Sequence, residues 1–514
     1  MRFLSSIILL IVLLGCEKNP RDRICVVVND ASPVSLAIGE AYMRARGIPK
    51  GQLLRLSIPV DDPELGDREH ESISREEFER LIRIPLEESF EKNGFRDEID
   101  IIVTTKGIPL RVEGPAVDPA LSLRDSTTAS VDAELSLLFS PQIGSPGIAS
   151  SPNPYYGQAQ GFRDFRRSHP TSPLRYLVAR LTGYQTPIEA GGALPRDVGA
   201  LIARGQAPNR ENSLWLVDFD PTLPIAMDAA NRVLLDPVVG LLKGLGLRVV
   251  ADDGPETAAD LENIQGFASW GSNASTEKAP QTYGEIDGSL HPGGFAPGAI
   301  AVDLVSTNAR SFTAPPVYGQ SLVADLIAQG VGGAAGHVAE PTLPTVVRPH
   351  LLFFHFALGA PAIEAYYRAL PYLGWMNVYI GDPLMRWDIP RGNMRAADSD
   401  GDGRPDSDDN CVLIPNARQR DSDGDGYGNI CDADVNGDGL VTTSWGESFP
   451  LSERGDVEMI ALSARDGLHI ADHDLDGDGK VNQRDISIAQ LQLFMAPGPG
   501  RRFRDPEEKV NPDP

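Results

Sequence analysis

The sequence predicts an α/β protein, a mostly parallel sheet with helices on both faces, followed by aspartate-rich loop modules with short helices. Three observations predict this. Short β-branched runs alternate with amphipathic stretches between residues 24 and 390, the rhythm of a parallel sheet whose crossovers are helices. At 514 residues the chain far exceeds the usual domain length, so more than one folded unit is expected. After residue 397 aspartates recur with glycines at fixed spacing, a pattern that belongs to loops and not to a sheet.

The elements run in order. Ile24 to Val28 is a β-branched run ending in Asn29, and an amphipathic stretch from Ser35 to Ala45 leads to the break at Gly47-Ile48-Pro49. Leu53 to Ile58 is a second short apolar run. Ser74 with Glu77 three residues later is a capping-box pair that opens a helix to about Lys92. Ile99 to Thr104, apolar except for Asp100, reads as a buried strand, with Cys25 a buried thiol in the first. From Glu113 to Asp197 the rhythm lapses into Pro, Gly and Ser, and the stretch reads as an irregular insertion. The alternation resumes with a strand at Leu214 to Val217, a helix at Ile225 to Lys243, a strand at Leu247 to Ala251 and a short helix near Ala258. A strand ending Phe267-Ala268, another at Ala299 to Val305 and a helix at Ser321 to Gln329 complete the run. Trp270 and the histidines His350 and His355 read as packing residues. Arg391 to Ala397 joins this domain, residues 24–390, to an aspartate-rich C-terminal segment.

Composition excludes some classes. With 46 basic against 72 acidic side chains the net charge is −26, the wrong sign for a nucleic-acid partner. Four cysteines exclude a disulfide-dense scaffold. The acid is concentrated: Asp398 to Asp485 holds 22 acidic and 7 basic side chains, so 15 of the 26 excess negative charges lie there.

Those aspartates fit the template of a calcium loop, oxygens at positions 1, 3, 5, 9 and 12 with glycine at 6 for the sharp turn. Asp398, Asp400, Asp402, Gly403, Asp406 and Asp409 fill one loop. Asp421, Asp423, Asp425, Gly426, Asn429 and Asp432 fill a second, and Cys411 and Cys431 accompany the pair. The arrangement over 391–432 resembles the thrombospondin type 3 repeat, a chain wound around calcium ions, and the resemblance implies a disulfide between Cys411 and Cys431. Two further loops precede helices. Asp434, Asn436, Asp438 and Gly439 open one whose position 12 is Trp445, which has no oxygen to offer; after an insertion from Trp445 to Gly455, Asp456 supplies the last ligand. Asp474, Asp476, Asp478, Gly479, Asn482 and Asp485 form the other without interruption. Two loop-plus-helix units over 433–496 resemble a type I dockerin with its EF-hand-like loops, which implies a cohesin-like or other cell-surface protein as partner. The four loops together call for about four Ca²⁺, and residues 497–514 read as a flexible tail.

The N-terminus addresses the compartment. Arg2 and the apolar run to Leu14 have the charged start and short apolar core of a secretion signal, and Leu13-Leu14-Gly15-Cys16 looks like the lipobox of bacterial lipoproteins. That resemblance implies cleavage after residue 15, lipidation of Cys16, a tether over 16–23 and a membrane partner reached through the acyl chains. Glu17 is not an inner-membrane retention aspartate, which favours the outer membrane or cell surface.

Strand ends at Ser269-Trp270-Gly271-Ser272 and Val305-Ser306-Thr307-Asn308, then Gly332-Gly333-Ala334 and Trp375 to Pro383, resemble the core of gingipain-like and caspase-like peptidases. Trp270 stands where that family's histidine falls and Ser306 or Thr307 near its cysteine, so the peptidase dyad is not present. Asn29, Ser35, Thr105 to Arg111, Ser130-Val131-Asp132, Arg180 to Gly183, Ser269 to Asn273, Glu340-Pro341 and Gly381 to Leu384 resemble a family of secreted bacterial proteins to which no activity is assigned, over residues 24–388. In an open α/β sheet ligands gather beyond the carboxyl ends of strands; there Lys106, Arg111, Ser269, Ser272, Asn273 and Asn308 are the candidate ligand-binding groups. Ser306 as nucleophile, His337 as general base and Glu340 as its orienting partner are the candidate catalytic set. The function expected is a calcium-binding envelope lipoprotein that presents an α/β binding domain in adhesion or assembly. The alternative is an envelope hydrolase, of peptidase descent or in a dockerin-based polysaccharide-degrading assembly.

Overall fold

Ten strands form one sheet in the computed structural model, which describes residues 19–60, 71–114, 128–144, 152–158, 160–184, 194–206, 213–223, 225–272, 281–341, 345–387, 400, 402–405, 409–412, 414–424, 426–437, 441–442, 455–492 and 497–498. They are β1 (Ile24–Asn29), β2 (Leu53–Leu56), β3 (Ile101–Thr105), β4 (Leu177–Leu181), β5 (Leu214–Asp218), β6 (Arg248–Asp252), β7 (Leu261–Ser269), β8 (Gly293–Asp303), β9 (Gly333–His337) and β10 (Asn377–Gly381). Their order across the sheet is β2-β1-β3-β4-β10-β9-β8-β7-β5-β6. Pairing is parallel except that β10 runs antiparallel to β9, with Gly333 opposite Gly381 and His337 opposite Asn377; one bridge, Ile380 to Arg180, joins β10 to β4.

Both faces are covered, as alternation along β1 requires. Ile24, Val26 and Val28 pack with Val34, Ile38 and Tyr42 of the helix Pro33–Arg46. Cys25 and Val27 face the other way, onto Phe78, Ile82, Leu86 and Phe90. Those four come from the helix that Ser74 opens: its hydroxyl accepts from the Glu77 N–H, and Glu77 Oε2 accepts from the Ser74 N–H, both at 3.2 Å. The helix widens to a π turn over Glu79–Arg83, just ahead of Pro85, which has no N–H to give to an α ladder.

Three expectations are corrected. The stretch 113–197 is not simply irregular: β4 lies within it and is fourth in the sheet, buried along its whole length. Its sequence, Leu-Val-Ala-Arg-Leu, hides a central strand because a buried arginine interrupts the apolar run. Residues 253–260 hold no helix near Ala258; they run as coil from β6 to β7. The strand expected at Ala299 begins at Gly293, and the small-residue strand β9 has no counterpart among the expected elements. There Gly333 is needed because a Cβ would strike the Tyr379 hydroxyl of β10.

The arginine in β4 is paid for by a network that ties the sheet to its loops. Arg180 Nε and Nη2 donate to the two Asp132 oxygens (2.9 and 2.7 Å), Nη1 to the Ile108 carbonyl (2.7 Å) and Nη2 to that of Pro109 (2.9 Å), while Thr104 Oγ1 also donates to Asp132 (3.0 Å). Asn29 ties loops together in a similar way nearby, donating to the carbonyls of Ile58 (2.9 Å) and Gly107 (3.0 Å).

Beyond the sheet, helices Asp456–Asp466 and Gln483–Leu491 share a small core of Ala433, Val441, Val457, Ile460, Leu475, Val481 and Ala489. Cys411 and Cys431 form a disulfide across 20 residues. Val412 beside it packs on Leu241 and Phe354 of the α/β domain, and the Tyr427 hydroxyl donates to the Gly157 carbonyl.

Removing one partner of a buried ion pair leaves the other uncompensated, at a cost of about 3–5 kcal/mol. Asp132→Ala is therefore expected to lower stability by that amount in a denaturant titration, whereas an exposed control such as Asp164→Ala should change it by under about 1 kcal/mol.

Candidate functional site

The metal loops are built from the backbone outward. In the first, Asp402 N donates to Asp400 Oδ1 (3.1 Å), Arg404 N to Asp402 Oδ1 (2.7 Å), and Asn416 N to Asp402 Oδ2 (2.8 Å). Asp409 is fully buried and is held by the Cys411 N–H and by Gln419 Nε2. Asp400, Asp402 and Asp409 each place a carboxylate oxygen within 4.8 Å of the others, and Asp474, Asp476 and Asp478 do the same in the last loop. In the second loop Asp421 accepts from the Gly424 N–H (2.6 Å) and Asn429 from the Ser422 N–H (2.9 Å); Asp423 lies in the same loop, and Asp432, buried like Asp434 two residues on, closes it. Asp398, Asp406, Asp425 and Asp438 lie outside the described residues.

The loops opened by Asp434 and Asp474 match each other in their closing bonds across the insertion. In the uninterrupted loop Asp485 is buried; its Oδ1 accepts from the N–H groups of Leu475 (2.8 Å) and Asp476 (3.3 Å), and its Oδ2 from that of Asn482 (2.9 Å). In the other, Asp456 is buried; its Oδ1 accepts from the Asn436 N–H (3.1 Å) and its Oδ2 from that of Thr442 (2.8 Å). Asn436 and Thr442 occupy positions 3 and 9 of their loop, as Asp476 and Asn482 do of theirs. Asp456 thus closes its loop although Trp445 to Gly455 intervene.

The donor set is all oxygen, which suits a hard cation. Asp474 tests the fit: it is fully buried, its Oδ2 accepts from Arg420 Nη1 (2.8 Å) and the Gly479 N–H (3.1 Å), and its Oδ1 takes no hydrogen bond. A buried carboxylate oxygen without a donor is costly unless a cation meets it.

Comparison with known proteins bears on residues 396–442, ten residues past the expected end of the repeats at 432 and into the loop that Asp434 opens. Residues 396–419 and 420–442 match the thrombospondin type 3 repeat. These two type 3 repeats mark the C-terminal region as calcium-binding. No curated protein and no solved structure matches the chain.

At the sheet, contacts bring the carboxyl ends of strands from both halves to one edge. Lys106, just after β3, donates to the carbonyls of Phe312 (2.6 Å) and Gly183 (3.0 Å); Arg111 donates to those of Arg310 (2.8 Å) and Val338 (3.2 Å). Asn308 is buried, donating to the Asp303 carbonyl (2.5 Å) and accepting from the His337 N–H (2.8 Å). The bonds of these three candidate ligand groups strap loops together. Ser306 lies half-buried and accepts from Gln320 Nε2 (2.8 Å). His337 is buried in β9, and burial, partly offset by a bond to the Val305 backbone, pushes its imidazole down to about 4. Glu340 is exposed. Among the described residues no hydrogen bond joins Ser306, His337 and Glu340.

Ser269 and Ser272 do meet at a site. They line a cleft of about 430 Å³ with Asp218, Thr222, Glu256, Gln281, Asp287 and His291; Asn273 lies outside the described residues. Asp218 ends β5, and its Oδ2 accepts from the Ser269 hydroxyl at the end of β7 (3.0 Å). Asp303, at the end of β8, accepts from the hydroxyls of Tyr283 (3.0 Å) and Ser321 (2.8 Å). Gly271, at φ 80°, must be glycine: a Cβ there would strike Asp303 and Ser321. The acidic strand end Leu-Val-Asp218 is the sequence signal for this cleft, and a reading that weighs only the serines and amides at strand ends misses it; Asp303, fully buried, stands behind the lining and holds Tyr283 and Ser321.

Burial, with the charges of Asp252 and Asp220 adding to it, pushes the Asp218 carboxyl up to about 7 from its ordinary 3.8. Between those values the folded chain holds a proton that the unfolded chain releases, so stability falls as pH rises through that window and levels off above it. Asp218→Asn is expected to be more stable than the parent above about pH 7, by up to a few kcal/mol, and to show no gain near pH 4. Thermal melts of both proteins across pH check this.

Proposed function

We propose that the chain is a cell-envelope lipoprotein, tethered through Cys16, whose calcium-loaded C-terminal modules hold and present the α/β domain as a binding module in adhesion or assembly. The observation that carries the reading is the repeated closure of the metal loops, with Asp456 reproducing the bonds of Asp485 across an insertion. A charge-rich linker has no reason to rebuild that geometry. Bound calcium would supply the counter-charge, and the chain supplies the oxygens: backbone amides orient Asp400, Asp402 and Asp409 in the first loop, Asp456 in the third, and Asp474, Asp476, Asp478 and Asp485 in the last. About four ions are expected, one for each loop.

The ligand seat we assign to the α/β domain is the polar cleft at Asp218, Ser269 and Ser272. The contacts of Val412 and Tyr427 with this domain support a presented module in preference to a loosely strung one. The dockerin-like pair, built around position-8 residues Val441 and Val481 in one core, offers the surface for a cohesin-like partner. A hydrolase reading draws on the same cleft, since a carboxyl titrating near neutrality is where an acid–base catalyst would sit.

Two experiments test the reading. Calorimetric titration of the full chain with calcium should show several binding events, one of which is lost in Asp456→Ala, as another is in Asp485→Ala; absence of binding by the parent chain would sink it. Cells expressing the protein should incorporate labelled fatty acid and retain it in the membrane fraction, and Cys16→Ser should release it. Equal partition of the two proteins contradicts the lipid anchor.

A further inference from the structure

At the amino ends of β3 and β4 the molecule carries a second cleft of the opposite sign. It measures about 370 Å³ and is lined by Asp97, Arg163, Arg166, Arg167, Pro170 and Arg175, four guanidinium groups to one carboxylate, in a chain of net charge −26. Arg163, Arg166 and Arg167 lie on the short helix Phe162–Ser168, and Arg175 just precedes β4.

The carboxylates nearby do not use up these cations. Arg163 and Arg166 share a single oxygen of Asp100 (3.1 and 2.9 Å), to which Arg23 also draws near through the other oxygen at 3.8 Å. Arg167 meets only Asp164 at the surface (3.1 Å, both side chains more than half exposed). Arg175 gives Nη1 to the Pro170 carbonyl (3.0 Å), and its Nη2 comes no nearer to Asp97 than 3.9 Å. The Nε atoms of Arg163 and Arg175 are buried with no acceptor. Arg175 is also a less ready cation than usual, because of burial first and the neighbouring Arg166 charge second.

Buried guanidinium donors without acceptors, and cations crowded around one cavity, are each unfavourable alone. A compact dianion relieves the crowding of charge, and guanidinium forks suit the spacing of tetrahedral oxyanions. We propose that this cleft binds a phosphate or sulfate group, free or as a monoester, with Arg167 and Arg175 as its principal donors. Arg163 and Arg166, held by Asp100 and by the Asp97 and Ile99 carbonyls, with Arg166 also 3.8 Å from Asp97, form the wall behind them.

The test is calorimetric titration of the full chain with inorganic phosphate, with sulfate, with glucose 6-phosphate as a monoester, and with acetate as a monovalent control. Saturable binding of the dianions, at least about tenfold tighter than acetate, is expected. Tighter binding of the monoester than of the free anions assigns the cleft to esters, and equal binding assigns it to the free ion. Arg175→Gln should weaken binding about tenfold, the loss of one charge-assisted bond. Arg167→Glu should do at least as much, and since that side chain is mostly solvent-exposed its fold should be intact by circular dichroism. No saturable binding by the parent chain, affinity for acetate equal to that for the dianions, or binding unchanged in both variants would overturn the proposal.

Discussion

Carboxylate oxygens gathered within 4.8 Å of one another repel by about 1 kcal/mol for each pair in water and by a few where solvent is partly excluded. That repulsion is the constraint on which the C-terminal part of the molecule depends. Among the described residues its apolar core is seven buried side chains with four partly buried ones against them, a small core to hold two helices, two repeats and their clustered aspartates together against it. Bound divalent cations would turn the same carboxylates from a source of repulsion into cross-links. The net charge of −26 is in this sense mostly a local device, more than half of it lodged between Asp398 and Asp485.

The loops are also not independent. Arg420, the first residue of the second type 3 repeat, donates to Asp474 Oδ2 and to the Ala471 carbonyl. Asn429 of the second repeat donates to the same carbonyl (2.9 Å), and Gln492 at the end of the last helix bonds to the Ala433 amide and the Ile430 carbonyl. A residue that orders one loop therefore touches the next, and the disulfide at Cys411 and Cys431 pins the set close to Val412, where it meets the α/β domain.

The C-terminal loops are the most legible part of the sequence because each ligand position is local: the spacing of Asp474, Asp476, Asp478 and Asp485 is itself the geometry. Asp456 is legible for a related reason, as the first carboxylate ahead of a helical run once Trp445 cannot serve. The parallel sheet can be read from β1, β3 and β5, whose apolar runs are continuous. It cannot be read from β4 and β9. In β4 a buried Arg180 depends on Asp132, 48 residues away, and in β9 small residues are dictated by Tyr379 on a neighbouring strand. Motif residues such as Asn29, Lys106, Arg111 and Asn308 resemble a ligand set because they are polar and fall at strand ends. Their partners are backbone carbonyls from distant loops, and no local pattern distinguishes a strap from a contact residue. The cleft at Asp218 is half legible: the strand-end rule finds its edge and its serines, while the carboxyl that titrates unusually depends on burial that only the folded chain supplies.

If bound cations, more than apolar packing, order the two C-terminal helices, removing calcium loosens them and leaves the α/β sheet intact. Hydrogen–deuterium exchange of the full chain in calcium and in chelator tests it most directly. Amides of Asp456–Asp466 and Gln483–Leu491 are expected to lose most of their protection in chelator while those of β1, β3, β5 and β8 keep theirs. Equal protection of the two C-terminal helices in both conditions would contradict it.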